Sequence, residues 1–148
     1  MNTRIRIQEE DFDISTETAA LTGEGVGAVA TFTGLVRAED GLSALTLEHY
    51  PAMTEREIAR HVAEAAQRWP LSGVTIIHRI GRLVVGERIV LVAVASPHRA
   101  ATFEACQFLM DYLKIHAPFW KQEERGGQSR WVEAKSSDHK AAQRWRTD

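Results

Sequence analysis

Residues 88–116, RIVLVAVASPHRAATFEACQFLMDYLKIH, contain the pattern that decides the fold. The run 88–96 is almost continuously apolar, which is typical of a central strand covered on both faces. Pro97 then precedes a segment whose apolar residues recur at helical spacing, and this predicts a long helix over about 98–116. The predicted apolar stripe of that helix consists of Phe103, Cys106, Met110 and Leu113. A central strand with a helix packed near it is therefore the core of the predicted fold.

Further strands are predicted on both sides of this core. The stretches that alternate between polar and apolar residues, or are rich in β-formers, are 4–8, 26–37, 44–50, 74–81, 119–124 and 130–135. Gly27 and Gly34, inside the second of these strands, predict bulges or a close approach of another backbone. RLVVGE (82–87) is interpreted as a linker, and ERGGQS (124–129) as the turn of a hairpin.

Helical patterns predict three more helices, at 15–21, 51–69 and 138–145. In the longest of them, Thr54 with Glu57 matches a capping box. The order of strands and helices predicts an α+β fold, with a mostly antiparallel sheet and two main helices packed on it. Because no repeat or linker divides the chain, residues 1–148 are predicted to form a single domain.

Composition limits the classes of function. The 148 residues carry a formal net charge of −2, whereas general nucleic-acid and membrane-surface binders need an excess of basic side chains. No apolar run approaches the roughly 20 residues of a membrane span, and the first residues lack the apolar region of a secretory signal. We therefore expect a cytoplasmic protein without nucleic-acid or membrane partners, in which any anion site is a local cluster of cations.

Familiar motifs for metal binding and nucleophilic catalysis are missing from the sequence. One cysteine excludes a disulfide framework and a cysteine-based zinc site, and the six histidines lack the spacing of a metal site. Neither a phosphate-binding glycine loop nor a nucleophile elbow occurs. Cys106 falls on the helical stripe, which predicts a buried thiol and not a sulfur-carrying nucleophile. We expect no metal and no resident cofactor.

Two lysines near the end of the predicted helix are candidates for chemistry. Lys114 lies one turn after Met110, at the edge of the apolar stripe, and Pro118 turns the chain before Lys121, so both side chains could face one cleft. Alternatively, Lys114 covers apolar surface with its stem, and Lys121 is an edge-strand lysine that discourages aggregation. Together the two lysines are consistent with acyl or proton-transfer chemistry on an anionic small molecule.

Three other cations are candidates for anion binding. His98 and Arg99 lie in the first turn of the predicted helix, where free backbone N–H groups and the helix dipole favour an anion. Arginine can hold a phosphate through two hydrogen bonds. Arg37 ends a predicted strand, which is a common place for binding groups. A capping histidine and solvated surface arginines would produce the same patterns.

Four phrases resemble, in the same order, the large, catalytic subunit of molybdopterin synthase. They are TFTGLVR (31–37), LTLEHYPAMTE (45–55), VTIIHRIGRLVVGE (74–87) and the whole segment 96–121. The resemblance extends from about Val26 to Trp145. It implies an α/β-hammerhead-like fold with a small antiparallel subdomain. It also implies a sulfurtransferase that converts cyclic pyranopterin monophosphate into the dithiolene of molybdopterin, in molybdenum cofactor biosynthesis.

The same resemblance implies two protein partners. Sulfur would arrive on the C-terminal thiocarboxylate of a small ubiquitin-like carrier subunit that ends in Gly-Gly. Two copies of the catalytic subunit would form a central homodimer with one carrier at each end, which makes a heterotetramer. The pyranopterin would be the small-molecule substrate.

Carried over by motif, Lys114 and Lys121 would be the catalytic residues. Lys114 would contact the terminal carbonyl of the carrier, and Lys121 would move a proton to or from the pterin. Arg37 would bind the substrate together with the adjacent backbone of Leu35 and Val36. Leu35 stands where this family often has a basic residue, which removes one possible cation.

Four more residues would complete the substrate site by the same resemblance. His98 and Arg99 would hold the phosphate or the pterin, reaching across from the other protomer. Gln122 and Glu123 would continue the pocket beyond Lys121.

Two other classes of function remain open from the sequence. One is a non-catalytic module that binds a pterin or a nucleotide phosphate, and the other is an interaction protein with a cleft for a ubiquitin-like tail. The presence of both lysines together with the SPHR and TFTG phrases favours the enzyme.

Overall fold

The computed structural model describes residues 1–132 and 136–145, in which it has eight strands and four helices. The strands are β1 (Asn2–Gln8), β2 (Ala28–Leu35), β3 (Leu42–His49), β4 (Gly73–Arg79), β5 (Gly81–Val84), β6 (Arg88–Ser96), β7 (Phe119–Arg125) and β8 (Gln128–Val132). The helices are α1 (Ile14–Leu21), α2 (Met53–Arg68), α3 (Arg99–Ile115) and α4 (Ser136–Gln143). None of these helices is long and apolar enough to cross a membrane.

Two four-stranded sheets organise the fold. The first has the order β1-β4-β6-β2, in which β1 runs parallel to β4 and the other neighbours are antiparallel. The second has the order β5-β3-β7-β8 and is antiparallel. The predicted α+β fold with a mostly antiparallel sheet is confirmed, and the second sheet corresponds to the small antiparallel subdomain.

Strand β6 is covered on both faces, as its apolar sequence predicts. One face presents Val90, Val92 and Val94, and the other presents Leu91, Ala93 and Ala95. The valines pack into the main core with α2 and α3, whereas the opposite face meets Leu21 of α1 and Phe12. Burial of a valine or leucine side chain contributes about 1.5–3 kcal/mol, so this strand contributes strongly to holding the first sheet against the helices.

A smaller core lies under the second sheet. Its buried residues are Val36, Leu42, Leu45, Leu47 and Leu83. Ile89, at the start of β6, packs against both this core and the main one. The two sheets are therefore joined where β6 begins.

The interpretation of 82–87 as a linker is wrong in part, because Gly81–Val84 forms β5. This strand pairs with β3, from Val84 opposite Ala44 to Gly81 opposite Leu47. Leu83 is buried in the small core while Val84 is exposed. An alternation over four residues is too short to separate a strand from a loop by sequence alone.

Phe103 does not belong to the buried stripe of α3. Its side chain is 63% exposed, whereas Cys106, Met110 and Leu113 are buried as predicted. At 3.6 residues per turn, Phe103 lies about 120° around the helix from Leu109, which is fully buried. The three-residue spacing between Phe103 and Cys106 therefore predicted the wrong face for Phe103.

The predicted capping box at Thr54 and Glu57 is also wrong. The capping interaction of helix α2 lies two residues earlier, where the Glu55 carboxylate accepts a hydrogen bond from the Ala52 N–H at 2.9 Å. The Thr54 hydroxyl accepts from the Tyr50 N–H and donates to the carbonyl of Pro118. It thereby ties the start of α2 to the turn that follows α3.

The hairpin predicted around ERGGQS is confirmed as the β7–β8 connection. Gly126 and Gly127 have φ of 54° and 79°, a backbone conformation that glycine adopts without a steric penalty. Of the predicted strand 130–135, residues 133–135 lie outside the described residues. The last predicted helix, 138–145, is observed as α4.

Both glycines singled out in 26–37 mark tight places, as predicted. A Cβ on Gly27 would stand 2.3 Å from the carbonyl oxygen of Pro97, and one on Gly34 would stand 2.9 Å from Val90 Cγ1. The register between β2 and β6 shifts immediately after Gly34. The first glycine permits the backbone before α3 to pass close to β2.

Replacing Gly27 with alanine is expected to lower the free energy of unfolding by about 1–3 kcal/mol, because the added methyl group overlaps a carbonyl that is fixed by the backbone. Urea unfolding followed by circular dichroism measures the change. Gly23→Ala is the matched control, since a Cβ there meets no atom within 4 Å. Equal stability of the two variants would contradict the close approach.

Candidate active site

A cleft of about 640 Å³ opens where the end of α3 meets the second sheet. Its walls come from the end of β2, from β3 and β7–β8 of the second sheet, and from the last turn of α3. Most lining side chains are apolar, among them Leu45, Leu47, Met110 and Leu113. Among the described residues, the ionisable side chains that line it are Lys114, Lys121 and His78.

Lys114 and Lys121 line the same cleft, which confirms the predicted convergence. Lys114 is the second-last residue of α3 and follows the buried Leu113. Lys121 lies on β7, where the register sets it opposite Leu47 of β3 and Val132 of β8. Two ammonium groups in a mostly apolar cleft create a local positive potential, which interacts with an anion more strongly there than in bulk water. Their catalytic roles stay predictions.

His98 and Arg99 are not brought to this cleft within one chain. Both are exposed at the start of α3, and the 1.5 Å rise per residue puts Arg99 about 22 Å from Lys114 along the helix axis. His98 occupies the N-cap position, but its side chain makes no capping hydrogen bond, and its N–H donates to the Ser96 hydroxyl. His98 and Arg99 therefore do not share a site with the two lysines within one protomer.

The three candidates at the end of β2 lie in different environments. The exposed side chain of Leu35 lines the cleft. Val36 is buried in the small core, its N–H donates to the Glu87 carbonyl at 2.9 Å, and its carbonyl accepts from the Gly86 N–H. Arg37 is exposed and forms an ion pair with Glu39. The buried Val36 thus anchors this strand end and leaves its neighbours on either side accessible.

Gln122 and Glu123 follow Lys121 along β7 and are half-buried. Neither lines the cleft. The carboxylate of Glu123 accepts a hydrogen bond from Arg125 at 2.8 Å, and Gln122 stands opposite Thr46 of β3. The contact of Gln122 and Glu123 with a substrate stays a prediction.

His78 is a cleft residue that the sequence reasoning did not single out. It lies at the end of β4, is 8% exposed, and stacks on Phe119 with ring centroids 3.9 Å apart. Burial, with a smaller effect from the charge of Lys114, lowers the pKa of His78 to about 4. The only signal in the sequence is that His78 directly follows the mostly apolar run VTII (74–77). A histidine that is simply hydrogen-bonded in the core would give the same pattern.

Aromatic side chains form one rim of the cleft. Trp120 and Trp131 are each about half exposed and pack edge to face, with centroids 6.1 Å apart, and Trp120 packs in the same way against Tyr50 at 5.2 Å. Such partly exposed aromatic clusters are typical of binding surfaces.

Cys106 is a buried thiol, as predicted. It packs in the main core, with Sγ 3.7 Å from the Val92 carbonyl. Burial raises its pKa to about 11, so the thiolate that nucleophilic or sulfur-carrying chemistry requires is scarce near neutral pH. Among the described residues there is also no group of three or more side chains able to hold a metal ion.

Comparison with known proteins gives one consistent family. The pattern of the family described as "MoaE protein" matches residues 7–116. The curated "Molybdopterin synthase catalytic subunit" of Mesorhizobium japonicum is 59% identical over 148 residues, covering 97% of this chain and 93% of the relative. The solved structure of "Molybdopterin cofactor biosynthesis protein E" from Burkholderia multivorans has a TM-score of 0.84 at 45% identity, covering 98% of this chain and 97% of that one.

A more distant solved structure is a protein–protein complex of subunits 1 and 2 of molybdopterin-converting factor from Helicobacter pylori 26695. Its TM-score is 0.71 at 20% identity, and the likeness covers 90% of this chain and 92% of that one. At this identity the likeness shows the fold alone.

The neutral state of His78 predicts a pH dependence of stability. A histidine whose pKa falls from 6.5 to about 4 on folding contributes fully above pH 6.5 and loses its contribution as the pH falls toward 4. Between pH 7 and pH 5 the free energy of unfolding is expected to fall by about 2 kcal/mol from this group. Urea titrations across this range measure the slope.

His78→Phe is the comparison variant for this slope, because it keeps a ring against Phe119 but does not titrate. Burial also lowers the pKa of His61, so the difference between wild type and variant isolates His78. Asp11, whose pKa the hydrogen bond from Arg88 lowers to about 2, loses its contribution only below about pH 4. Identical slopes in wild type and variant would contradict the buried neutral imidazole.

Proposed function

Because this chain belongs to the MoaE protein family, we propose that it is the catalytic subunit of a molybdopterin synthase. The reaction transfers sulfur from the C-terminal thiocarboxylate of a small carrier protein to cyclic pyranopterin monophosphate and forms the dithiolene of molybdopterin. The observation that carries this proposal is the convergence of Lys114 and Lys121 in one mostly apolar cleft.

The chemistry of the reactants suits this cleft. A thiocarboxylate, a phosphate and the tetrahedral intermediate that forms at an attacked carbonyl are all anionic. Ammonium groups beside apolar walls stabilise such charges more than they would in bulk water. The cleft therefore favours both the arrival of the carrier terminus and the charge that develops during transfer.

Lys114 is proposed to act on the terminal carbonyl of the carrier. In that position Lys114 has one of two roles: as an ammonium it stabilises the oxyanion while the carbon–sulfur bond of the carrier is cleaved, or as a neutral amine it attacks the carbonyl and briefly carries the acyl group after the sulfur has left. Lys121, on the opposite wall, is proposed to transfer a proton to or from the pterin. Gln122 and Glu123 continue β7 beyond it and are proposed to contact the far side of the substrate.

The proposed carrier partner is recognised through its tail. A terminal Gly-Gly has no side chains, so an extended tail can enter a narrow cleft that closes around its backbone. The exposed Trp120 and Trp131 at the rim offer the carrier body an apolar docking surface. We further propose that the protein works in the cytoplasm, where a thiocarboxylate is not exposed to an oxidising compartment.

The remaining cations are proposed to reach the cleft from a second copy of the chain. His98 and Arg99 lie about 22 Å along α3 from Lys114, so they complete its site only if another protomer supplies them. A homodimer at the centre of a heterotetramer gives this arrangement, because two-fold symmetry repeats each contact. Arg37, with the adjacent backbone of Leu35 and Val36, is proposed to bind the same substrate.

Mass spectrometry of the thiocarboxylated carrier tests the proposed reaction. With this protein and cyclic pyranopterin monophosphate, the carrier is expected to exchange its terminal sulfur for oxygen, and without the pyranopterin it should not. Lys114→Ala and Lys121→Ala are each expected to slow the exchange about 100-fold or more, since each removes a group that acts in the transition state.

Lys140→Ala is the matched control for the lysine variants, because Lys140 is an exposed lysine of α4 that does not line the cleft. It should exchange sulfur at the wild-type rate. If the folded wild-type protein binds both the carrier and the pyranopterin but leaves the sulfur on the carrier, the protein is a binding module and not an enzyme.

Mixed dimers test whether two protomers share a site. Arg99→Ala and Lys114→Ala are each expected to inactivate the homodimer, whereas an equal mixture of refolded subunits should regain about a quarter of the wild-type rate, because half of the dimers are mixed and one of their two sites is intact. Sulfur transfer per protein measures the rescue. An inactive mixture in which native mass spectrometry detects the mixed dimer would show that each site uses one chain.

A further inference from the structure

His78 is an ionisable side chain that lines the cleft and that the proposed reaction does not use. It lies at the end of β4 and is almost completely buried. Lys114, Phe119 and Met110 line the same cleft. A buried imidazole is expected to have a hydrogen-bond partner for each of its ring nitrogens, because an unsatisfied buried nitrogen destabilises the fold.

One nitrogen of the ring is held by the backbone. His78 Nδ1 lies 2.9 Å from the carbonyl oxygen of Arg79, and a carbonyl only accepts, so Nδ1 carries the proton. The ring also stacks on Phe119 at an angle of 18°. These two contacts fix the orientation of the ring and leave Nε2 as the nitrogen with the free lone pair.

The surroundings keep this lone pair unprotonated. Burial disfavours the imidazolium, and the nearby charged or titratable groups are Lys114 on α3 and His49 on β3, which both oppose a further positive charge. Arg79, the next residue, is engaged elsewhere, with the carbonyls of Glu9 and Arg88. His78 is therefore an uncharged hydrogen-bond acceptor in the cleft that Lys114 also lines.

An uncharged acceptor can orient an ammonium group without neutralising its charge. A carboxylate at this position would pair with Lys114 and cancel the charge that attracts an anion, and an imidazolium would repel it. A neutral imidazole can direct one N–H bond of the ammonium without adding a negative charge beside it.

We propose that His78 is a positioning residue, whose Nε2 accepts a hydrogen bond from Lys114 when the carrier tail fills the cleft and so directs the ammonium at the terminal carbonyl. This rests on the proposed function, in which Lys114 acts on that carbonyl. His78 itself touches neither the carrier sulfur nor the pterin.

Two amide variants separate the two nitrogens of the ring. In His78→Asn the side-chain amide can replace Nδ1–H toward the Arg79 carbonyl, but nothing replaces Nε2. In His78→Gln the longer side chain can bring its carbonyl oxygen to the place of Nε2. Single-turnover sulfur transfer is expected to slow about 10- to 100-fold in His78→Asn and by less than about threefold in His78→Gln, since a hydrogen bond to a charged group is lost only in the first.

Carrier affinity and thermal unfolding are measured on the same two variants. A purely structural role predicts that both variants lose stability and that turnover follows it. The positioning role predicts an unchanged dissociation constant for the carrier in both variants, with turnover lost in His78→Asn alone. Wild-type turnover in His78→Asn, or equal losses in the two variants, would overturn the proposal.

A second measurement does not depend on sulfur transfer. The ¹⁵N resonance of His78 Nε2 is recorded with the C-terminal peptide of the carrier bound, in wild type and in Lys114→Ala. A hydrogen bond from Lys114 shifts this resonance in the wild type only, and identical resonances would overturn the proposal. If wild type transfers no sulfur, the proposed function fails, and this comparison still decides the hydrogen bond.

Discussion

The burial of β6 on both faces is the constraint on which the rest of the structure depends. Its two rows of apolar side chains draw α2 and α3 to one face and α1 to the other. The packing of α3 sets the position of its last turn, and so of Lys114, while β4 beside β6 carries His78 to the same end. The cleft is thus a product of core packing, with rigid elements on most of its walls.

The length of α3 divides the cations of the site into two groups. A helix of 17 residues keeps its first turn far from its last, and no side chain spans that distance. Lys114 and Lys121 line one cleft of their own chain, and in the proposed homodimer His98 and Arg99 serve the cleft of the other protomer. Spreading the cations in this way limits their mutual repulsion in the free protomer, because charges separated by more than the Debye length of roughly 10 Å are largely screened.

Prediction from the sequence succeeded where burial in the core produces an apolar pattern that extends over a whole strand or helix. The apolar run of β6, the buried Cys106 and the shared cleft of Lys114 and Lys121 all follow from periodicity and from the turn at Pro118. It failed where the cause was tertiary. β5 is defined by pairing with β3, Phe103 lies on a face that only the packing of α3 reveals, and His78 shares a cleft with Lys114 only because packing brings the ends of β4 and α3 together.

The burial of Cys106 has a consequence for the supply of sulfur. The chain has one cysteine, and its thiol is enclosed in the main core, so the protein has no accessible thiol on which a persulfide could wait between steps. In the proposed reaction each sulfur atom must then stay on the molecule that brings it until the moment of transfer. A dithiolene contains two sulfur atoms, so each product molecule consumes two carriers, and the first must leave, or yield the cleft, before the second can deliver.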